Sequence, residues 1–195
     1  VRPHLVVVLV GDDAASHVYV RNKQRACERT GVISTRMDLP SSSTQQEVLG
    51  IISNLNDDES VHGILVQSPL PPRMDELRIA DAIDPRKDVD GFHPTNLGRL
   101  VQGDTGGMLP CTPAGVMRLL EETGVDLTGS KAVVLGRSRI VGMPMALLLS
   151  QKGVDSTVTI VHSRSEEHSL LCRDADLLVA AIGRPGTVKP GWVKP

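Results

Sequence analysis

The feature that most constrains the fold is a nearly continuous run of apolar, mostly β-branched residues, His4–Val10, which ends at Gly11. This run lacks the apolar–polar alternation of a strand with one solvent-facing side, so it indicates a strand buried on both faces of a parallel sheet. A helical pattern follows over residues 16–30, and Gly31 stands where a helix C-cap is favoured. The chain therefore begins as an α/β protein.

The rest of the first half alternates in the same way. We predict strands over residues 33–39 and 61–67, a helix capped by Ser43 or Thr44 that ends near Leu55, and a short helix over residues 75–83. The result is a β-α-β-α-β unit. In such a unit the loops at the carboxyl ends of the strands form the ligand crevice.

The second half follows a glycine-rich joint over residues 102–110 and opens with a helix over residues 113–123 that we expect to bridge the halves. Further elements then alternate: strands over residues 131–135, 157–162 and 176–182, and helices over residues 144–152 and 166–172. We therefore predict two open parallel-sheet α/β domains, residues 1–112 and 113–195. The second is Rossmann-like and incomplete at its C-terminus.

The composition indicates which classes of partner and which cellular compartment to expect. A net charge of −2 with both signs interspersed favours neither nucleic acid nor a membrane surface, so we expect small molecules and a second copy of the chain, as a homodimer. Cys27, Cys111 and Cys172 lack metal-site or disulfide spacing, which predicts no metal and a reducing compartment. We predict a cytoplasmic protein; since the chain opens on Val1, a lost mitochondrial targeting segment stays an alternative.

The Tyr19–Lys23 pair carries the first chemical signal. Four residues make one helical turn, so the single phenol of the chain and an amine share a helix face close to the end of the first strand. A lysine desolvated at the mouth of a parallel sheet can carry protons. The alternative is a lysine that extends its amine to solvent beside a half-buried tyrosine.

The turn Gly136–Pro144 carries the second signal, because a strand-to-helix turn with two glycines and a proline in the helix's first turn suits a phosphate. At the next strand end the chain has His162, Ser163 and Arg164, without an immediate carboxylate. A guanidinium and a hydroxyl favour a ribose 2′-phosphate, so we predict NADP rather than NAD. The nearby pair Glu166–Glu167 weakens that preference.

Six stretches, in this order and spacing, resemble the bifunctional methylenetetrahydrofolate dehydrogenase/methenyltetrahydrofolate cyclohydrolase family, the FolD type. They are residues 16–23, 66–71, 85–92, 110–115, 136–144 and 157–164. The resemblance implies tetrahydrofolate derivatives as substrates and NADP as the cofactor. It also implies two reactions: oxidation of 5,10-methylenetetrahydrofolate to the methenyl cation, and hydrolysis of that cation to 10-formyltetrahydrofolate.

The resemblance also implies residue roles. Lys23 matches the catalytic residue of the hydrolysis step, Tyr19 a residue that shapes the folate site, Gln67 a partner of the lysine, and Asp90 the carboxylate that holds the pterin edge. Thr112 is expected near the nicotinamide. The remaining cofactor contacts implied are Gly136, Arg137, Ser138, Ile140, Ser163 and Arg164.

Three alternatives remain open on the sequence. Tyr-x-x-x-Lys is also the signature of short-chain dehydrogenases, although their glycine-rich turn precedes that pair. An NAD-using relative would employ Mg²⁺ and grip free phosphate with Arg137. A nucleotide-sensing or inactive oligomerisation module would need neither activity.

Two departures from the family pattern stand out. Ser68 occupies a position that is usually apolar, which puts packing in the folate crevice in question. The chain also ends at Pro195, whereas the family continues through further strands, so we expect a fragment that lacks both ends.

Overall fold

The computed structural model describes residues 2–104 and 106–194 and divides the chain into two compact units, Val1–Asn96 and Leu97–Pro195. The boundary predicted after Thr112 lies 16 residues further along (112 − 96) and stays a prediction. Thr105, within the predicted joint, lies outside the described residues. Throughout the described ranges, no helix combines the length and apolar character that spanning a membrane requires.

The first unit is built on a three-stranded parallel sheet in the order β2-β1-β3, with strands β1 (His4–Val10), β2 (Ile33–Leu39) and β3 (Gly63–Val66). The central strand β1 is buried from Val6 to its end, as its continuous apolar sequence predicts. Strand β3 is shorter than the predicted residues 61–67, since only Gly63–Val66 pair in register with β1.

Two helices connect these strands, α1 (Ala14–Thr30) and α2 (Gln45–Asp57), and a third, α3 (Glu76–Asp81), follows β3. Gly31 closes α1 in the left-handed conformation with φ of 76°, which confirms the predicted cap. Thr44, not Ser43, caps α2, and it forms a reciprocal capping box with Glu47. Short side-chain bonds of this kind fix where each helix begins.

A fourth helix, α4 (Pro94–Gln102), occupies a segment for which we predicted no element. Its start carries a signal that sequence reasoning could have used, since Pro94 stands at the first helical position, where a missing N–H costs nothing. Leu100 lies on its apolar face and is only 1% exposed.

The second unit repeats the design of the first, with a parallel sheet in the order β5-β4-β6. Its elements are α5 (Cys111–Thr123), β4 (Lys131–Leu135), α6 (Gly142–Ser150), β5 (Thr157–Val161), α7 (His168–Asp174), β6 (Leu177–Ala180) and a 3₁₀ turn over Pro190–Trp192. The open, Rossmann-like parallel sheet is therefore confirmed.

Several of the predicted helix bounds in this unit were wrong. Helix α6 begins at Gly142 rather than at Pro144 and ends before Lys152, and α7 begins at His168 rather than at Glu166. For the start of α6 the physical reason is that Ser138 Oγ accepts hydrogen bonds from Val141 N and Gly142 N, a contact that no spacing rule predicts.

Candidate functional site

Lys23 and Gln67 meet at the carboxyl end of the first sheet. The Lys23 amine, on α1, donates a hydrogen bond of 3.2 Å to Gln67 Oε1, and both side chains are half-buried. Gln67 directly follows β3, and its backbone N–H donates to Val8 O at 2.9 Å. The central strand therefore holds the amide in place, and the predicted pairing is present in the structure.

The nitrogen of the Gln67 side-chain amide fixes the orientation of that amide. Its Nε2 donates to Ser68 O at 2.7 Å, so Oε1 is the atom that remains for the amine. The same carbonyl accepts a bond of 3.4 Å from Ser16 Oγ, and Ser16 is 1% exposed. The Ser68 side chain itself is exposed, so it contributes its carbonyl rather than apolar packing.

Tyr19 lies one helical turn before Lys23, and its side chain is 62% exposed. The phenol is therefore accessible to a ligand that approaches this face of α1. Its participation in a folate site stays a prediction.

Asp90 belongs to the same electrostatic environment. Burial raises the pKa of Asp90, the nearby Lys23 ammonium opposes that rise, and the Asp88 carboxylate adds to it. A half-buried carboxylate that is costly to ionise is unusual for a turn residue. It suits a group that accepts hydrogen bonds from a bound molecule.

Asp88 holds the backbone that carries Asp90. Asp88 is only 2% exposed, and its Oδ2 accepts bonds from His93 N at 2.8 Å and from Asn96 Nδ2 at 2.9 Å. Sequence reasoning did not identify this network, although an aspartate that accepts an amide N–H a few residues later in a loop is a known turn signal. The loop after Asp90 is therefore fixed from inside.

Lys87 fixes the same segment from outside. Its ammonium donates to three carbonyls near the end of α2, those of Leu55 at 2.9 Å, Asn56 at 2.7 Å and Asp58 at 2.8 Å. The last carbonyls of a helix lack intrahelical partners, so a lysine at this place satisfies several of them. Because Lys87 O also accepts from Ile64 N at 2.8 Å, the segment is tied to β3 as well.

The glycines of the second-unit turn are required by close backbone approach. A Cβ on Gly136, whose φ is 118°, would lie 2.5 Å from Ala181 O. A Cβ on Gly142 would lie 2.6 Å from the carbonyl carbon of Gly136. The turn is thus too tight for a side chain at either position, as in loops whose backbone cradles a phosphate.

Ser138 organises the start of α6. Its Oγ accepts bonds from Val141 N at 3.2 Å and from Gly142 N at 3.3 Å. The hydroxyl proton remains for another partner, while Arg137 and Ile140 project from the same turn as exposed side chains.

The turn after β5 exposes the two predicted specificity residues, Ser163 and Arg164. The turn is closed by a bond of 2.8 Å from Ser165 N to His162 O. His162 N donates in return to Ser165 Oγ at 3.0 Å, and Arg164 N donates to His162 Nδ1 at 3.2 Å. The backbone groups bond inward, so the side chains of Ser163 and Arg164 remain accessible.

A cleft of about 490 Å³ opens at the carboxyl ends of all three strands of the second sheet. Three predicted cofactor residues, Gly136, Arg137 and Ser163, line it. Thr112, Ser138, Ile140 and Arg164 are not among its lining residues. The structure therefore brings together part of the predicted cofactor set.

The cleft also contains residues that sequence reasoning missed, namely His162, His168, Arg184, Thr187 and Trp192. A usable signal existed for Arg184 and Thr187, because they follow β6, whose carboxyl end reaches the same edge of the sheet as the other two strands. Within the described part of the chain, no carboxylate lines this cleft, whereas Arg137 and Arg184 do. Its lining favours an anionic occupant.

Comparison with family models divides the chain in two. The model described as the catalytic domain of tetrahydrofolate dehydrogenase/cyclohydrolase matches residues 1–90. The model described as the NAD(P)-binding domain of the same enzymes matches residues 110–195.

Individual relatives agree. The bifunctional protein FolD 2 of Pseudomonas savastanoi pv. phaseolicola is 54% identical over 195 residues, which are all of this chain and 64% of the relative. The chain thus spans slightly less than two thirds of that relative's length.

Solved structures are similar over the same extent. The FolD methylenetetrahydrofolate dehydrogenase/cyclohydrolase of Campylobacter jejuni has a TM-score of 0.96 and 45% identity, covering 100% of this chain and 68% of that one. The Trypanosoma brucei enzyme, solved with NADP and an inhibitor, has a TM-score of 0.93 and 38% identity, covering 99% of this chain and 65% of that one.

Proposed function

The chain belongs to the tetrahydrofolate dehydrogenase/cyclohydrolase family, and on that basis we propose that it oxidises 5,10-methylenetetrahydrofolate with NADP and hydrolyses the resulting methenyl cation to 10-formyltetrahydrofolate. Membership confirms the resemblance of the six sequence stretches. It also makes the short-chain dehydrogenase interpretation of the Tyr19–Lys23 pair wrong, because the family models match both halves of the chain and the pair precedes the glycine-containing turn.

The observation that carries the proposal is the hydrogen bond from Lys23 Nζ to Gln67 Oε1, 3.2 Å long, beside the carboxylate of Asp90. An amide is a neutral acceptor, so it orients the amine without holding it in an ion pair. An amine that uses one N–H for Gln67 keeps its lone pair, when neutral, for a proton from water.

We assign the substrate's pterin to Asp90. A carboxylate can accept two parallel hydrogen bonds from an amino group and a ring N–H. Burial raises the pKa of Asp90, and hydrogen bonds donated by a bound ring would stabilise the carboxylate and oppose that rise. We therefore assign recognition of the substrate to Asp90, and the shaping of the folate site to the exposed Tyr19 ring.

The oxidation step requires little proton chemistry from the protein. A hydride leaves the methylene carbon with its electron pair and produces an amidinium cation, and NADP supplies the acceptor carbon when it is bound. The chain's own residues need only to hold donor and acceptor carbons close together.

The hydrolysis step depends on Lys23. A nearby amidinium cation repels an ammonium, so substrate binding favours the neutral amine. Water then adds to the amidinium carbon and passes one proton to Lys23, which leaves a neutral carbinolamine. N5 takes that proton back as the carbon–N5 bond breaks, and the hydroxyl oxygen releases its remaining proton to solvent as it becomes the formyl carbonyl. The formyl group remains on N10.

The second unit fits a dinucleotide cofactor. Close packing at Gly136 and Gly142 lets the backbone approach a pyrophosphate, and the cleft at the strand ends carries Arg137 and Arg184 without a carboxylate in its described lining. We assign the cofactor's phosphates to the Gly136–Gly142 turn, with Ser138 and Ile140 on its rim. Ser163 and Arg164 are assigned to the 2′-phosphate, and Thr112 to the nicotinamide end.

The deciding experiment measures both activities separately on purified Lys23→Met. We expect hydrolysis of supplied methenyltetrahydrofolate to be abolished while part of the hydride transfer remains, because only hydrolysis needs a proton carrier. Lys152→Met, a change of an exposed lysine, serves as the matched control and should leave both activities at the wild-type level. Equal survival of the two activities in Lys23→Met contradicts the assignment.

The cofactor is tested by comparing NADP with NAD plus Mg²⁺ and phosphate in one dehydrogenase assay. Arg164→Ala should raise the KM for NADP at least about tenfold more than that for NAD, if one charge-assisted contact is lost. Faster turnover with NAD, Mg²⁺ and phosphate would favour the alternative in which Arg137 grips free phosphate.

Further proposals concern the oligomeric state, the compartment and the partners of the whole protein. We infer a homodimer in the cytoplasm, with no nucleic-acid or membrane partner. The near-neutral charge of −2 supports the absence of those two partners, and size-exclusion chromatography with light scattering tests the dimer.

A further inference from the structure

The turn over residues 162–165 receives a side-chain hydrogen bond from outside itself. His162 O accepts two hydrogen bonds, one of 2.8 Å from Ser165 N within the turn and one of 2.9 Å from the His168 ring. Because a carbonyl only accepts, the hydrogen must lie on His168 Nε2. His168 therefore ties the turn to the start of α7.

The orientation of the His168 ring is set by Trp192. The two rings are stacked, with centroids 6.3 Å apart and planes inclined by 18°. Trp192 packs against the apolar cluster that includes Leu135, Val161 and Cys172. The imidazole plane is thus fixed by a ring that is itself anchored in the core.

Both rings also line the cleft that contains Gly136, Arg137 and Ser163. The pair is therefore next to the proposed cofactor site without belonging to the residues assigned to its phosphates. We propose that His168 and Trp192 are a positioning pair that holds the 162–165 turn in the geometry in which Ser163 and Arg164 select a ribose 2′-phosphate. This inference rests on the proposed function.

The physical consequence is specific to one cofactor. NADP and NAD differ only in the 2′-phosphate, so a turn that relaxes loses contacts to NADP and leaves the shared contacts to NAD intact. A role of the pair in general stability would instead weaken binding of both nucleotides together.

The test measures dissociation constants for NADP and for NAD by isothermal titration calorimetry on wild type, His168→Leu and His168→Gln. The single tryptophan of the chain gives a second readout, because a ligand in the cleft should change Trp192 fluorescence. In His168→Leu we expect NADP to bind about tenfold more weakly and NAD within about twofold of wild type. In His168→Gln, whose amide keeps a donor, we expect most of the NADP affinity to return.

Trp192→Phe and Trp192→Leu extend the test by calorimetry, since the first keeps an aromatic plane and the second does not. Only the leucine variant should lose the preference for NADP. Equal losses for both nucleotides, or an unchanged ratio in His168→Leu, overturn the positioning role while the proposed function stands. A wild-type chain that shows no preference for NADP overturns the cofactor assignment, and this inference with it.

Discussion

At the scale of single residues, Asp90 shows a conflict between stability and function. Burial raises the pKa of Asp90 in the folded chain above its unfolded value. The folded state therefore binds this proton more tightly, and the contribution to stability is present below about pH 3.8 and is lost as the pH rises through the folded pKa. Asp90→Asn should raise the midpoint of thermal unfolding at pH 7 and weaken folate binding.

The check on Asp90 is a pair of melting curves. The gain of Asp90→Asn over wild type should shrink as the pH falls below about 3.8, where the wild-type carboxyl is protonated in both states. An asparagine variant that melts below wild type at pH 7 would mean that the carboxylate stabilises the fold, and the functional reason for its burial would disappear.

A substitution at Gly142 should have a different result from Asp90→Asn, because it should lower both the stability of the fold and the binding of the cofactor. In Gly142→Ala the new methyl group would meet the carbonyl carbon of Gly136 at 2.6 Å, so the start of α6 must shift. We expect a loss of about 1–3 kcal/mol in the free energy of unfolding, together with weaker NADP binding. The control is Gly115→Ala on α5, where a Cβ meets no atom within 4 Å and helix propensity should add about 0.5–1 kcal/mol.

At the scale of secondary-structure elements, Lys87 links the end of α2 and strand β3 to the loop segment that carries Asp90. Lys87→Met keeps the length of the side chain but removes the ammonium that donates to Leu55, Asn56 and Asp58. We expect a loss of about 1.5–3 kcal/mol in the free energy of unfolding, from urea titration, because hydrogen bonds to a charged group are lost. Lys152→Met should leave that free energy unchanged within about 0.5 kcal/mol.

A pure stability effect of Lys87→Met would leave folate affinity at the wild-type value under conditions where the variant is fully folded. We expect instead that folate binding weakens, since the base of the Asp90 segment is loosened. If Lys87→Met lowers the free energy of unfolding but leaves folate affinity unchanged, Lys87 does not position the segment that carries Asp90.

At the scale of the whole molecule, the proposed chemistry is divided between two units with separate cores. Lys23 lies in the first unit, and the cleft with Arg137 and Ser163 lies in the second. We therefore expect Lys23→Met to bind NADP within about twofold of wild type by calorimetry. Conversely, Arg164→Ala should still hydrolyse supplied methenyltetrahydrofolate, since that step uses no cofactor. A loss of NADP binding in Lys23→Met would show that the two sites do not act separately.

Many of the secondary-structure elements could be predicted from the sequence, because each depends on residues that are neighbours in the chain. The apolar run His4–Val10, the cap at Gly31 and the strand over residues 131–135 each follow from neighbours in the chain, and each was predicted within its observed bounds. The Lys23–Gln67 pairing was reached through the family resemblance. Its two residues are 44 positions apart, and the structure brings them into contact.

The sequence alone thus determined the family, the two parallel sheets and the residue types of the chemistry, because strand periodicity, caps and motif spacing are properties of short segments. Only the tertiary structure decided how those residues are held. The hydrogen bonds from Lys87 to the end of α2 and the stacking of His168 on Trp192 both join segments that are distant in the chain. Such contacts form when helices and loops pack against a sheet, and no local pattern encodes which side chains then meet.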